Sequence, residues 1–337
     1  KVLEFSDYIS SYGELRFRVQ TNDPFAVQGI FEPYKYHVKL YRNNSLVWAG
    51  IITDNPHRNH EFIEVKAKTY GFLMNKVSVA HTAGEAYREF KTGTMAAAVT
   101  AIMNEGIART DTPIVGFTLS TIENPVYPWD LGKSFTFSDT VYMRFEAASL
   151  LQVVSSMADV ANADWSVSNA KVFSFVQKMG GTKPNVVLKF GKGGNVSDYD
   201  SPLDGTNLTN DLYVASLDKA NQGLGKPIFK EQEETSLYAE YKRLWSSILF
   251  NEELTQDMLN ERAKKIMALN KKPDTQLSLI LNEKASPVGT YELGDYIQVI
   301  VKDGPIDFHG EKRIIGWNVI WNSSGVERTT LYTNDRF

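Results

Sequence analysis

Residues 291–331 read YELGDYIQVIVKDGPIDFHGEKRIIGWNVIWNSSGVERTTL. Residues 296–301 are apolar and β-branched, which predicts a strand. Lys302-Asp303-Gly304-Pro305 breaks it, because Pro lacks a donor and Gly permits positive φ. Ile315, Trp317, Val319 and Trp321 then alternate, a period of two that places four large side chains on one face of a second strand. Asn322-Ser323-Ser324-Gly325 turns the chain and residues 326–332 return as a third. Such a meander does not bury its apolar face alone, so it belongs to a larger sheet or barrel. The stretch holds no nucleophile, metal-ligand spacing or phosphate loop.

The same period governs the first 80 residues. Tyr36, Val38 and Leu40 share one face, with Lys35, His37 and Lys39 on the other; Arg42-Asn43-Asn44-Ser45 turns the chain. A second turn is expected over 54–59. Ile63, Val65 and Ala67 are then expected to face in, and Glu64, Lys66 and Lys68 out. Between the ends the period changes. Met95, Val99, Ile102 and Met103 predict a helix over 94–108 with Thr94 as its cap. Leu150, Leu151, Val154 and Met157 mark a helix over 146–162, and a hairpin follows at 165–177 around Ser168-Asn169-Ala170. A strand is expected at 186–190, a loop over 191–206, a strand at 208–216 and a loop over 217–230. Residues 244–250 suit a helix or a strand equally. A clear helix runs over 255–270, with Glu261 and Lys265 as an i,i+4 pair. The fold class expected is α+β: two antiparallel β-barrel-like domains, 1–85 and 186–337, with an inserted α/β domain, 86–185, of helices and a hairpin.

The chain has 337 residues and a net charge of −4, so the electrostatics give no general support for binding nucleic acid or anionic membrane. No apolar run reaches transmembrane length, and the first residues lack the features of a signal peptide. Cysteine is absent, which excludes disulfides and thiolate chemistry.

Four constellations carry residue types that could support chemistry. His57 and His60 are spaced i,i+3 but lack the Glu of the zinc-hydrolase pattern, and a solvated turn explains them. Gly191-Lys192-Gly193-Gly194 follows a strand, yet neither a Lys-Ser/Thr pair nor a helix follows, so a connection is the better reading. Asn195, Asp198, Asp200 and Asp204 beside Gly205 have the hardness for Ca²⁺ without EF-hand spacing. Tyr127, Trp129, Phe135, Phe137 and Tyr142 would either line a groove or pack beneath a long loop. No catalytic, cofactor-binding or metal residue is assigned, and no cofactor is implied.

Leu293-Gly294-Asp295, a strand, a loop, Arg313-Ile314-Ile315-Gly316 and a last strand with Glu327-Arg328 resemble the C-terminal barrel of phage tail hub proteins. These are hub or tail-tip proteins of long-tailed phages, related in fold to the baseplate hub of contractile tails. Upstream, Thr235-Ser236-Leu237 with Tyr241-Lys242-Arg243 resembles a Ser-Ile…Tyr-Gly-x-Arg segment of that family, Lys242 standing where Gly is usual. The motifs cover roughly the last 130 residues and carry no catalytic residue. The resemblance implies a non-enzymatic, homotrimeric ring in the virion, made in the host cytoplasm. It would join the tail tube or distal tail protein to a tip, spike or fibre, contact the tape measure protein, and leave a path for DNA without binding it specifically or touching a membrane. Trp48-Ala49-Gly50-Ile51-Ile52-Thr53 and its return strand parallel Arg313-Ile314-Ile315-Gly316-Trp317 and theirs; two similar β units in each of three copies would suit a six-fold tube. The alternatives are a tail-tip cell-wall hydrolase or peptidase, and a glycan-binding receptor module using Trp129.

Overall fold

The computed structural model describes residues 3–27, 31–81, 84–85, 87–109, 111–126, 134–137, 143–204, 206–218, 227–254, 256–271, 274–275, 277–282, 289–304, 306–322 and 324–334. The first β region comprises β1 (Leu3–Tyr8), β2 (Glu14–Gln20), β3 (His37–Arg42), β4 (Ser45–Arg58) and β5 (Phe62–Thr69). Asn43 and Asn44 take φ of 47° and 64°, the left-handed pair that matches the twist of a two-residue hairpin. The turn expected over 54–59 is instead strand. β4 continues to Arg58 through bulges after Ile52 and Asp54, which absorb residues that would otherwise break a ladder. The chain reverses just beyond it, where Asn59 Oδ1 accepts from the N–H groups of Glu61 and Phe62.

Glu64 departs most sharply from its expected outward placement. Its side chain is fully buried, held by Arg16 Nε at 2.7 Å and Arg18 Nη2 at 3.0 Å. Arg16 foremost holds its carboxyl below the ordinary value, against the opposing effect of burial. A buried carboxylate is tolerable only when paired in this way.

α1 (Met95–Ala108) begins at Thr94, whose hydroxyl accepts from the Ala97 N–H. It is followed by β6 (Thr118–Ile122) and α2 (Leu150–Ala161). α2 starts with its apolar stripe at Leu150, four residues after the expected start at 146, because Ser149 and Gln152 form a reciprocal capping box there, fixing the first turn. It ends at Asn162 in a left-handed conformation. β7 (Asp164–Val167) and β8 (Val172–Val176) form the expected hairpin, and β6 adds to it in parallel. Trp165, Phe173 and Phe175 are fully buried in one core with Val99, Val154 and Met157 of the two helices.

The longer elements that follow are β9 (Thr182–Lys189), β10 (Val196–Asp200), β11 (Asp211–Asp218), β12 (Pro227–Glu233), β13 (Trp245–Leu254), α3 (Gln256–Asn270), β14 (Leu277–Leu281), β15 (Tyr296–Asp303), β16 (Ile306–Trp321) and β17 (Glu327–Asn334). Two expected loops contain strands. β10 lies within 191–206 because it pairs with β14, and 217–230 holds the end of β11 and the start of β12. Residues 244–250 are strand because β13 pairs in parallel with β11. Tertiary pairing decides such segments where local composition does not.

The ladder β10-β14-β17-β16-β1-β2-β5-β4-β3, with β15 on β16 and β9 on β15, is one eleven-stranded sheet. β1 bonds β2 on one side and β16 on the other, Leu3 opposite Trp321 and Tyr8 opposite Gly316. The first and last β regions therefore share a core, with Phe5, Leu15 and Trp48 beside Leu279, Val299 and Trp317. The α+β class holds, but among the described residues no sheet closes into a barrel. Between β9 and β10 there is a single isolated bridge, Phe190 to Val196.

β16 also corrects the alternation reading. A bulge lies between Ile314 and Gly316. It turns Ile314 into the core with Trp317 and Val319, while Ile315 is only half-buried; an extra residue shifts every side chain before it to the opposite face.

Asp7, opposite Trp317 on β1, accepts from the Tyr8 N–H at 3.0 Å. Burial pushes its carboxyl from 3.8 up to about 7. The folded state holds this proton more tightly than the unfolded chain, so the contribution is complete below about pH 3.8 and lost as pH rises through about 7. Asp7→Asn is expected to remove that slope and to raise stability at pH 8 by ~1–3 kcal/mol. Urea midpoints at pH 5 and pH 8 check it; an unchanged pH dependence would show the carboxyl ionised throughout.

Candidate functional site

The two motifs of the last β region meet in space. Arg313, on β16, is almost fully buried and pairs through Nη2 with Asp164, the first residue of β7. Its Nε donates to the Gly294 carbonyl at 3.3 Å and Nη2 to the Met179 carbonyl at 3.1 Å. Asp164 Oδ2 accepts in addition from the Met179 N–H at 2.7 Å. Asp295 Oδ1 accepts from the Gly181 N–H at 2.9 Å and its Oδ2 from the Glu292 N–H at 2.8 Å. Backbone bonds complete the clasp: Gly294 N–H to the Ile314 carbonyl, Ile314 N–H to the Asp295 carbonyl, Tyr296 N–H to the Gly181 carbonyl.

Gly180 and Gly294 make this approach feasible. Their φ values are +81° and +90°. A Cβ on Gly294 would stand 2.5 Å from the Met179 carbonyl oxygen, and one on Gly180 2.1 Å from the Gly294 carbonyl carbon. Charge, hydrogen bonds and glycines all serve to hold the helix–hairpin region against the last β region. The arrangement fixes geometry and presents no reacting group.

A second feature is the sheet β12-β11-β13. One face buries Leu212 and Val214 against α3, where Leu259, Ala263 and Met267 belong to the same core. The other face is open. Register places Asp211 between Glu233 and Trp245, Tyr213 between Glu231 and Ser247, and Ala215 between Phe229 and Leu249. Phe229 and Trp245 are 60% exposed and Leu249 69%, with the Tyr213 and Phe229 rings stacked at 5.8 Å. An apolar face of this kind marks an interaction surface. Arg243 lies at its head, its guanidinium 4.2 Å from the Trp245 ring centre.

Of the residues singled out in the sequence, Phe135 and Phe137 pack ring to ring at 5.5 Å. His57 lies on β4 opposite Glu64, and His60 is exposed beyond the strand. Gly191-Lys192-Gly193-Gly194 is a tight turn, closed by the Gly194 N–H on the Gly191 carbonyl at 2.9 Å, and the strand β10 follows it. Asn195 is committed to backbone, accepting from Lys189 N–H and donating to the Val187 carbonyl. Asp198 accepts from the Tyr199 N–H, and the side chain of Asp204 lies outside the described residues, as does Gly205. Phe135 and Phe137 are fully buried core, while Tyr127, Trp129 and Tyr142 lie outside the described residues. So do the side chains of Glu261 and Lys265.

Sequence reasoning missed Asp164 and the acids around Arg243. Asp164 had a signal: a carboxylate opening a strand immediately before a core tryptophan, Trp165. Lys242 has φ +62° and ψ −171°, a conformation that only Gly adopts without strain, which accounts for Gly at the corresponding place in the resembled motif.

No protein-family model matches the sequence, and no curated protein matches it. Solved structures do. The chain is similar to a tail protein from Neisseria meningitidis MC58, with TM-score 0.71 and 11% identity over 99% of this chain and 91% of that one. It is similar to the 43 kDa tail protein of prophage MuSo2 from Shewanella oneidensis, with TM-score 0.66 and 11% identity over 98% and 93%. A component of the Escherichia coli type VI secretion system, described as structurally similar to the T4 bacteriophage tail proteins gp27 and gp5, matches with TM-score 0.52 and 10% identity over 100% of this chain and 74% of that one. The fold is that of phage tail and baseplate hub proteins. Among the described residues no helix is long and apolar enough to cross a membrane.

Proposed function

We propose that this chain is a structural hub protein at the distal end of a phage tail, carried in the virion and made in the host cytoplasm. Three copies form a ring that joins the tail tube or distal tail protein to a tip, spike or fibre, contacts the tape measure protein, and leaves a central path for DNA. The observation that carries this reading is the end-to-end similarity to a tail protein over nearly the full length of both chains. Within the ring, the β regions that bracket the helix–hairpin region, with limits near residues 85 and 185, face the tube. The role is non-enzymatic: the residues of the resembled motifs are spent on holding backbone, as Arg313, Gly294 and Asp295 are. Contact between copies comes from apolar sheet faces, such as that of Tyr213, Phe229, Trp245 and Leu249, and from completed strand edges.

Light scattering across a concentration series tests the ring. A mass near three times 37.9 kDa is expected. A chain that stays monomeric at the highest concentration, and in the presence of its tube partner, would overturn the trimer.

A further inference from the structure

We propose that Asp211, Glu231 and Glu233 form a binding site for a divalent cation of the calcium type at the head of the β12-β11-β13 sheet. This goes beyond the tail reading and does not depend on it. The three side chains converge by register: Glu233 is directly opposite Asp211, and Glu231 sits two pairs along on the same face, opposite Tyr213. Each offers a carboxylate oxygen, and these oxygens lie within 4.8 Å of one another. A calcium ion bound at roughly 2.4 Å reaches oxygens separated by up to about twice that distance.

Like charges directly opposed across a ladder destabilise it unless a cation lies between them. Arg243 supplies one positive charge: it pairs with Asp211, and its Nη2 stands 3.1 Å from Glu233 and 3.6 Å from Glu231. Three carboxylates and one guanidinium leave a net charge of about −2, which a single dication neutralises.

The independent sign of a missing ligand is the state of Asp211. Its side chain is fully buried, and while Oδ2 meets Arg243, Oδ1 has no hydrogen-bond partner. A buried carboxylate oxygen left unpaired is costly. The Tyr238 hydroxyl is likewise buried and unpartnered. The donors are all oxygen, which selects a hard cation over zinc or copper. Half-exposed Glu231 and Glu233 leave the other coordination positions to water, so the affinity expected is modest, a dissociation constant of about 0.1–1 mM.

Trp245 makes the site measurable, since it is the register partner of Asp211 on β13. Terbium added to the full chain after chelation should give saturable emission on tryptophan excitation, displaced by calcium. The Glu231→Gln/Glu233→Gln double variant alters only half-exposed side chains, so its fold should persist. It should weaken calcium binding, read by calorimetry, by at least about tenfold. Trp245→Phe should remove most of the sensitised emission while leaving calcium affinity within about twofold. Absence of calcium binding to the unaltered chain at 10-fold above the expected dissociation constant would overturn the proposal. So would an unchanged affinity in the double variant, which would move the bound ion to another acidic segment such as that around Asp198 and Asp200.

Discussion

Arg313→Met is expected to cost about 3–5 kcal/mol of folding stability. The guanidinium is buried and has three obligations: Asp164 and the carbonyls of Met179 and Gly294. Met fills the same volume but leaves Asp164 as a buried carboxylate without its counter-charge, and two carbonyls lose a donor. The loss should appear as a lower urea midpoint with an unchanged slope. A second variant separates charge from packing: Arg313→Met combined with Asp164→Leu should recover part of the loss, since an apolar pair of similar volume does not strand a charge. A single-variant cost under about 1 kcal/mol would show that the pair does not hold the two regions together.

Gly294→Ala is expected to cost at least about 3 kcal/mol for a different reason. A left-handed backbone costs a non-glycine residue roughly 1–2 kcal/mol, and here the added methyl also meets the Met179 carbonyl at 2.5 Å. That carbonyl is backbone, fixed by Arg313, so it cannot yield without loosening the clasp. Gly304→Ala is the matched control. Gly304 also has positive φ, +54°, but a Cβ there meets nothing within 4 Å, and the strain of about 1–2 kcal/mol should be the whole effect. Equal losses at the two positions would mean that the close approach at Gly294 relaxes without cost.

The meander, the two capped helices and the hairpin at Ser168 were legible because each is written in local signals. Alternation, a cap residue and a turn need no knowledge of distant chain. What failed depended on neighbours far away in sequence. Glu64 reads as surface because nothing local says that β2 will place Arg16 and Arg18 beside it. Val196 to Asp200 reads as loop because its strand exists only through its ladder to β14. The bulge at Ile315 is invisible to a period of two, and it reverses the inward set before Gly316. Among the described residues β9 and β10 meet only at the bridge from Phe190 to Val196, and no local pattern encodes whether two edge strands pair. At the sites, Leu293-Gly294-Asp295 and Arg313-Ile314-Ile315-Gly316 stood out in sequence, but their contact with each other and with Asp164 did not. The acids that gather around Arg243 come from two strands, Asp211 from β11 and Glu231 and Glu233 from β12, and no spacing rule joins the two strands.

The placement of β1 between β2 and β16 sets a timetable for folding. Its bonds to β2 close a short loop and form early. Its bonds to residues 316–321 join segments separated by most of the chain, a pairing whose loop-closure entropy makes it slow. Throughout synthesis, until those residues exist, the outer edge of β1 offers a row of unsatisfied N–H and C=O groups to any other strand nearby. A nascent population crowded on one messenger would be most at risk of pairing between chains at this edge, and lower temperature and slower expression should raise the yield of correctly closed protein more than any change made on the finished surface.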